Sequence, residues 1–275
     1  MMDKRTIEAA LNTDYVGRDL EFYPVIDSTN NIAKAAGDEG RASGFLAVAD
    51  RQDAGRGSRG RSWISPAGHN IFMSLMVRPK IPMDKVSGLT LVMALSVSEA
   101  LDKAMTAAGV SDDVRTGIKW PNDIVLNKRK ICGILTELHM MPGSEEYFVV
   151  IGCGINVNQP SDLFAEEIRD MAGSVFSETG KELDRSKLIA LCMKYFEENY
   201  ARYVERCDLS LLKDEYEKRL LNRDSKVKIL DPKGEYEAVA LGINKEGALL
   251  IKNENGDSEE IIAGEVSVRG LYGYV

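Results

Sequence analysis

Residues 55–63 read Gly-Arg-Gly-Ser-Arg-Gly-Arg-Ser-Trp, a stretch in which three glycines are interspersed with three arginines. Glycine has no side chain and adopts either sign of φ, so backbone N–H groups in this stretch can approach a ligand closely. Arginine adds a permanent charge and a forked set of donors that suit carboxylate and phosphate oxygens. The stretch, which we call the flap, therefore predicts a flexible loop over a polyanionic small molecule, with Trp63 as a stacking surface.

Two other interpretations of the flap have to be weighed. Gly55, Gly57 and Gly60 also satisfy the dinucleotide-binding pattern G-x-G-x-x-G, and the apolar run 45–49 precedes them. That pattern must open a helix, whereas residues 62–68 contain turn residues and no helical period. The sequence therefore disfavours a dinucleotide fold. A solvated basic loop without a function stays open, because charge runs are often only surface.

The composition is that of a globular protein with room for one large and one small domain. The chain has 275 residues, 44% of them hydrophobic, and a formal net charge of −8. The acidic balance disfavours broad nucleic-acid binding, since phosphate backbones select basic surfaces. No apolar run reaches membrane-spanning length and the N-terminus lacks an apolar signal core, so we expect no membrane association and a cytoplasmic location. Four cysteines without C-x-x-C spacing and two histidines predict buried free thiols rather than a zinc site.

Apolar runs separated by turn residues predict an α+β fold with a mixed sheet flanked by helices. Polar cap residues at 27–30 precede a helix that closes near 37–40, and a long buried helix is predicted over 86–108. Two further helices are expected between 186 and 221. Strands are predicted at 22–26, 45–49, 71–77, 118–123, 124–126, 131–139 and 147–157, with a hairpin turn at 127–130.

The pattern changes near residue 222, where short strands begin to recur at regular spacing. They are predicted at 227–230, 236–243, 248–252, 259–262 and 266–269, separated by Gly, Asn and Asp turns. Such spacing is typical of a small all-β barrel. We therefore expect two domains, residues 1–222 and residues 223–275.

Three further segments carry residue types suited to chemistry. In 119–123, Lys-Trp-Pro-Asn-Asp, the proline predicts a rigid corner that aims polar side chains into a pocket, although an ordinary polar turn would explain it as well. Lys130 precedes a buried strand, where its ammonium can reach a phosphoryl group beside Gly133. In 152–156, Gly-Cys-Gly-Ile-Asn, glycines interrupt a core strand, which indicates close approach of a ligand or of another backbone, with a β-bulge as the alternative.

Together these segments resemble the biotin protein ligase family. The matching stretches occur in the family's order and spacing over about the first two hundred residues, and the C-terminal segment, including 247–250, is similar to the family's SH3-like barrel. Five motifs and the single residue Gln52, found in this order, are together highly specific. The matching stretches are 27–30, Gln52, 55–63, 119–123, 130–135 and 152–156.

The resemblance implies a class II synthetase-like catalytic domain that joins biotin to ATP and then passes biotin to a lysine of a carrier domain. The product of the first step is biotinyl-5′-adenylate, released with pyrophosphate, and the carrier belongs to a biotin-dependent carboxylase such as acetyl-CoA carboxylase. ATP and biotin are then substrates, and Mg²⁺ accompanies the nucleotide. The acceptor carboxylase, the metal ligands and the choice between monomer and homodimer stay open.

The resemblance also implies site residues. Lys130 would bridge biotin and the α-phosphate, Arg56 would hold the biotin carboxylate and the phosphate, and Asp123 would lie near the acceptor lysine. The implied biotin-binding residues are Ser28, Thr29, Asn30, Gln52, Gly55, Arg56, Gly57, Ser58, Lys130, Gly133 and Gly152. The implied ATP-binding residues are Ser58, Arg59, Arg61, Trp63, Lys119, Asn122, Lys130 and Asn156.

Two functions are alternatives to biotin ligation. Regulatory members of the family place a winged-helix DNA-binding domain first, whereas about twenty residues precede Phe22 here, with room for one short helix. We therefore expect no direct DNA binding, although a biotin-responsive regulator without its own DNA-binding domain stays an alternative. A lipoate or octanoate ligase of the same broad fold is the other, disfavoured because those enzymes lack this form of the flap.

The flap departs from the family at Ser58, where members usually carry an arginine that helps retain the adenylate. We predict weaker adenylate retention here unless Arg59 compensates, because one guanidinium is missing beside the phosphate. Rates of adenylate release from the parent and from Ser58→Arg provide the test, and the variant should release more slowly. Equal rates would contradict this interpretation of Ser58.

Overall fold

A seven-stranded mixed sheet forms the centre of the larger part of the chain. The computed structural model describes residues 2–141, 143–231, 234–263 and 267–270, with the side chains of Arg59, Ser267 and Arg269 left aside. The sheet order is β1-β2-β3-β7-β6-β5-β4, and only β1 and β2 run parallel. The strands are β1 (Leu20–Ile26), β2 (Phe45–Gln52), β3 (Ile71–Val77), β4 (Gly117–Lys119), β5 (Asp123–Leu126), β6 (Arg129–Met140) and β7 (Tyr147–Ile155).

Four of the six α-helices in the described residues confirm sequence predictions, whereas the short helices Lys4–Ala10 and Val175–Thr179 were not predicted. The six helices are α1 (Lys4–Ala10), α2 (Thr29–Asp38), α3 (Gly88–Ala107), α4 (Val175–Thr179), α5 (Arg185–Arg206) and α6 (Lys213–Glu217). Helix α3 is apolar on nearly every side because it lies between the sheet and α5. None of the helices in the described ranges is both long and apolar enough to cross a bilayer.

Successive side chains along the central strands point to opposite faces of the sheet, and each face packs against different helices. On β7, Val149, Ile151 and Cys153 point into the main core beneath α3 and α5. Phe148 and Val150 point the other way, into a smaller cluster with α2 that includes Ala33 and Phe45. Beyond Val150 on this second face the strand carries only glycines, which leaves space next to the N-terminus of α2.

Two local predictions need correction. Residues 118–123 do not form one strand, because a turn that contains the cis Trp120–Pro121 peptide bond separates β4 from β5. A proline without an N–H cannot supply a ladder hydrogen bond in a strand interior. The hairpin turn is shorter than predicted: Asn127 and Lys128 both have positive φ, the type I′ arrangement, and β6 already begins at Arg129.

A separate five-stranded antiparallel sheet follows near the C-terminus, as the spacing of short strands predicts. Its order is β11-β10-β9-β8-β12, consistent with an SH3-like domain. The first residue of the last predicted strand, Val266, lies outside the described residues. The strands are β8 (Ser225–Asp231), β9 (Gly234–Ile243), β10 (Leu249–Asn253), β11 (Ser258–Ile261) and β12 (Ser267–Gly270).

The cysteines are free thiols, as predicted. Cys132, Cys153 and Cys192 are buried, whereas Cys207 is half-buried. Burial raises the pKa of Cys192 to about 12, because a thiolate would lose its hydration there. These thiols therefore behave as small apolar core residues.

Trp120 connects the two sheets. Its side chain is 2% exposed, and its indole Nε1 donates to the Gly247 carbonyl oxygen at 3.0 Å, in the turn between β9 and β10. Its backbone N–H donates to Asn222 Oδ1 at 2.7 Å. The tryptophan of the 119–123 corner therefore holds that corner against the C-terminal sheet.

Replacing Trp120 by Phe should lower the free energy of unfolding by about 1–3 kcal/mol, because the Gly247 carbonyl loses its buried partner. Urea denaturation measures the change. Trp63→Phe is the matched control, since no acceptor pairs with Nε1 of Trp63 in the described structure. Equal losses in the two variants would contradict a specific anchoring role for Trp120.

Candidate active site

A patch of sheet without side chains forms the floor of the site. Gly133 on β6 pairs with Gly154 on β7, and Gly152 lies on the same face. A Cβ at Gly152 would lie 2.1 Å from Asn30 Oδ1, and one at Gly154 would lie 2.5 Å from Trp63 Nε1. Each glycine is therefore required by a side chain packed directly onto the backbone. The β-bulge interpretation of 152–156 is wrong, since β6 and β7 pair in continuous register here, and the groups that approach these glycines are the side chains of Asn30 and Trp63.

A narrow cavity opens over this floor. It lies between the N-terminus of α2, the flap and the middle of β6 and β7. The residues that line it are Ser28, Thr29, Asn30, Gln52, Arg56, Gly57, Ser58, Trp63, Met73, Asn122, Lys130, Gly133, Ile134, Leu135, Gly152, Cys153 and Gly154.

One end of the cavity is a buried polar network at the start of α2. Gln52 Oε1 accepts from the Thr29 backbone N–H at 2.8 Å and from the Thr29 hydroxyl at 3.0 Å. The Ser74 hydroxyl lies 2.6 Å from Asn30 Oδ1 and 2.7 Å from Thr29 Oγ1. Ser74 has one proton for these two acceptors, so it can donate to only one of them at a time. This end is suited to a neutral polar group with donors and acceptors close together.

The flap is a short ribbon closed by backbone hydrogen bonds. Trp63 N–H donates to the Gly55 carbonyl at 2.9 Å, and Gly57 N–H donates to the Arg61 carbonyl at 2.7 Å. A single turn of 3₁₀ helix spans Ser58–Gly60, and no α-helix begins after the glycines. The dinucleotide interpretation of the glycine pattern is therefore excluded. Because Arg56, Gly57, Ser58 and Trp63 line the cavity, the flap is also more than a solvated loop.

The tryptophan and lysine of the site meet over the glycine floor. The Trp63 ring lies against Gly133 and Gly154, and Lys130 Nζ is 5.3 Å from the centroid of that ring. Lys130 Nζ also lies 2.6 Å from Asp123 Oδ1. The 119–123 corner and the start of β6 therefore bring a cation and a carboxylate together beside an aromatic surface.

A second carboxylate lies at the opposite side of the site. Glu137 Oε2 accepts from Asn30 Nδ2 at 2.7 Å and lies 3.5 Å from Arg56 Nη2. Sequence reasoning missed Glu137, although alternation along β6 from Gly133 through Leu135 places it on the site face. Ser74 was missed in the same way, as the one polar residue of an apolar strand.

Several predicted site residues lie outside the cavity lining. Gly55 is buried behind Trp63, and Lys119 is buried within β4. The Asn156 amide donates to the Gly173 carbonyl at 3.0 Å. Arg61 is exposed and donates to the Ser58 carbonyl and hydroxyl. The roles of these residues stay predictions. The predicted ATP contact of Arg59 also stays a prediction, because its side chain is not among those that the structure describes.

Among the residues that the structure describes, the side chains do not assemble a metal cage of their own. Within the described ranges, no three His, Cys, Asp or Glu side chains come together in a way that could hold a metal ion. Mg²⁺ commonly binds through substrate phosphates, waters and one or two carboxylates. We therefore treat Mg²⁺ only as a companion of a nucleotide substrate.

Comparison with known proteins identifies the family. The sequence matches the Biotin/lipoate A/B protein ligase family over residues 22–156 and the Biotin protein ligase C terminal domain over residues 224–269. It is 37% identical over 257 residues to the Bifunctional ligase/repressor BirA of Bacillus spizizenii, covering 93% of this chain and 76% of that protein. This chain belongs to the biotin protein ligase family.

Other relatives and a solved structure agree with membership of the biotin protein ligase family. The Biotin–[acetyl-CoA-carboxylase] ligase of Mycobacterium tuberculosis is 30% identical over 90% of this chain and 88% of its own length. The biotin protein ligase of Aquifex aeolicus in complex with biotin and ATP superimposes with a TM-score of 0.77 at 32% identity, covering 92% of this chain and 99% of that one. The named relatives are biotin ligases, so the lipoate alternative is not favoured.

A methyl group added at Gly154 should destabilise the protein, and the reason is that the Trp63 ring packs directly on this glycine. Gly154→Ala places a Cβ 2.5 Å from the indole nitrogen, so we expect a loss of about 1–3 kcal/mol from overpacking. In a Trp63→Ala background the same substitution should cost less than about 0.5 kcal/mol, since the obstructing ring is gone. Urea denaturation of the four proteins measures this coupling. Equal costs in both backgrounds would show that the ring does not pack on Gly154.

Proposed function

We propose that this chain is an ATP-dependent biotin protein ligase that forms biotinyl-5′-adenylate and transfers biotin to a lysine of a carrier domain. The observation that carries the proposal is a glycine-floored cavity whose lining combines the cations Arg56 and Lys130 with a neutral polar network. A lining with both kinds of group matches a ligand that has a neutral ureido ring and a carboxylate. Membership of the ligase family supports the same assignment.

In the first step a biotin carboxylate oxygen attacks the α-phosphorus of ATP. A new bond forms between the carboxylate oxygen and the α-phosphorus. The bond from the α-phosphorus to the oxygen that bridges to the β-phosphate breaks, and pyrophosphate leaves with that electron pair. Two anions must approach each other, so repulsion dominates the barrier unless cations offset it. Lys130 and Arg56 both line the cavity and supply fixed positive charge there. In this assignment they stabilise the transition state, in which negative charge concentrates between them.

The polar network would orient the biotin ring before this step. Thr29, Asn30, Ser74 and Gln52 already fix one another, so little ordering remains to be done when the ligand binds. The carbonyl and N–H groups of a ureido ring pair with donors and acceptors of this kind. Leu135 gives the cavity an apolar wall for the hydrocarbon part of the ligand.

The nucleotide would lie on the flap side. Trp63 offers a flat aromatic surface for the adenine, and Ser58 and Asn122 line the same side of the cavity. Asn122 is held in place by two hydrogen bonds to Ile134. The Asn122 side-chain Nδ2 donates to the Ile134 carbonyl at 2.9 Å, and the Asn122 backbone carbonyl accepts from the Ile134 N–H at 3.0 Å. A flap that covers the adenylate also keeps water from a reactive anhydride.

In the second step the acceptor lysine amine attacks the carbonyl carbon of the adenylate. A C–N bond forms, the C–O bond to phosphate breaks, and AMP leaves. The attacking nitrogen must shed a proton, and Asp123 is the carboxylate we assign to receive it. Lys130 lies 2.6 Å from Asp123, so the group that stabilises the phosphate and the group that accepts the proton are adjacent.

The acceptor is expected to be the biotin carboxyl carrier domain of a carboxylase. Relatives named Biotin–[acetyl-CoA-carboxylase] ligase support this partner class. A direct test mixes the protein with biotin, ATP and a carrier domain, and follows pyrophosphate release and biotinylation of the carrier. Lipoate in place of biotin should give neither product. Pyrophosphate with lipoate, or none with biotin, would refute the assignment.

The two half-reactions should respond differently to substitutions in the Lys130–Asp123 pair. Lys130→Met removes charge beside the α-phosphate, so biotin-dependent pyrophosphate formation should fall by about 10²–10³-fold. Asp123→Asn should keep the pyrophosphate burst within about tenfold and slow transfer to the carrier by about 10²–10⁴-fold. Rapid-quench assays of each half-reaction measure the two rates.

Asp53→Asn is the matched control, because Asp53 is exposed and pairs only with Arg51 among the salt bridges of the described residues. It should leave both rates unchanged. If Asp123→Asn slowed both half-reactions equally, the assignment of Asp123 to the transfer step would be wrong.

A further inference from the structure

Glu137 occupies a place in the site that the proposed function does not use. It lies on the site face of β6, two residues after Leu135, just outside the cavity lining. Its side chain is 26% exposed, and a single oxygen, Oε2, contacts both Asn30 and Arg56. These two partners belong to different parts of the site, since Asn30 lies at the start of α2 and Arg56 lies in the flap.

The Asn30 contact fixes which way an amide points. Asn30 is 6% exposed, its Nδ2 donates to Glu137 and its Oδ1 lies 2.6 Å from the Ser74 hydroxyl. A carboxylate can only accept, so it selects the orientation in which the Asn30 NH₂ group faces β6. The Asn30 oxygen then faces Ser74 and the floor at Gly152. Glu137 thereby sets the polarity of the network at the neutral end of the cavity.

The Arg56 contact restrains the flap. Arg56 Nη2 lies 3.5 Å from Glu137 Oε2 and donates to Asn31 Oδ1 at 2.9 Å. The Arg56 side chain is 45% exposed, so the attraction is modest and screened by solvent. Arg56 is flanked by glycines, however, so even a weak attraction to Glu137 changes the relative populations of flap conformations.

We infer that Glu137 is a positioning residue that joins the neutral end of the site to the flap. It acts on biotin through the Asn30 amide and on the adenylate through Arg56. This inference rests on the proposed function. The inference has two arms, the first through Asn30 and the second through Arg56. They can be tested separately, because a glutamine at position 137 can still accept from Asn30 but no longer attracts Arg56 by charge.

The first arm is tested by calorimetry with biotin alone. Glu137→Gln should bind biotin within about threefold of the parent, whereas Glu137→Ala should bind about 5- to 30-fold more weakly, because the Asn30 NH₂ group loses its acceptor. Glu145→Gln, at an exposed position, is the matched control and should bind like the parent. Equal affinities for all four proteins would overturn this arm.

The second arm is tested by the rate of biotinyl-adenylate release. Glu137→Gln, which keeps an acceptor for Asn30, should release the adenylate about two- to fivefold faster than the parent, the size expected for one partly exposed charge pair. In an Arg56→Ala background this variant should not raise the rate further. A purely structural role would instead lower the melting temperature and give additive effects in that background, and either finding would overturn the inference.

Failure of the inference can be told apart from failure of the proposed function. If the parent protein neither binds biotin nor releases pyrophosphate, the proposed function itself is wrong. If the parent does both and the Glu137 variants match it in affinity and release rate, only the inference about Glu137 is wrong.

Discussion

The site depends on a place where two central strands carry no side chains. Gly133 and Gly154 face each other across β6 and β7, and Gly152 follows on the same face, so the sheet surface is lowered by about the depth of a side chain there. Trp63 and Asn30 fill part of that depression from opposite sides, at distances that leave no room for a Cβ. The cavity is what remains between them. The same strands remain well packed, because their other face carries Ile151, Cys153 and Ile155 in the main core.

Charge around the cavity is arranged in pairs. Lys130 lies beside Asp123 and Arg56 lies near Glu137, so each cation that faces the ligand also has a carboxylate within reach. Such pairing limits the repulsion between cations in an acidic protein and fixes the direction of each side chain. The carboxylates differ in setting: Asp123 follows the rigid Trp120–Pro121 corner, whereas Glu137 lies on a regular strand. In our account Asp123 serves the transfer step and Glu137 serves positioning.

Local patterns predicted most of the fold and much of the site. The apolar run 71–77 predicts β3 over its full length, and the cap residues before Thr29 predict the start of α2. The glycines of β6 and β7 and Arg56 of the flap indicate the position of the cavity. The remaining features depend on distant parts of the chain. The Trp120 indole bonds a carbonyl 127 residues away, and the Glu137 partner Asn30 is 107 residues away, so neither contact has a local sequence signal. The Asn156 amide also donates to the backbone carbonyl of Gly173, and its role in nucleotide binding stays a prediction.

The most direct test of this account is a crystal structure of the protein soaked with biotin and ATP. The account places biotin on the backbone of Gly133 and Gly152–Gly154, with its ring among Thr29, Asn30 and Gln52 and with Lys130 Nζ within hydrogen-bond distance of a phosphate oxygen. Density for biotin at another surface, or a bound nucleotide whose phosphates contact neither Lys130 nor Arg56, would contradict it.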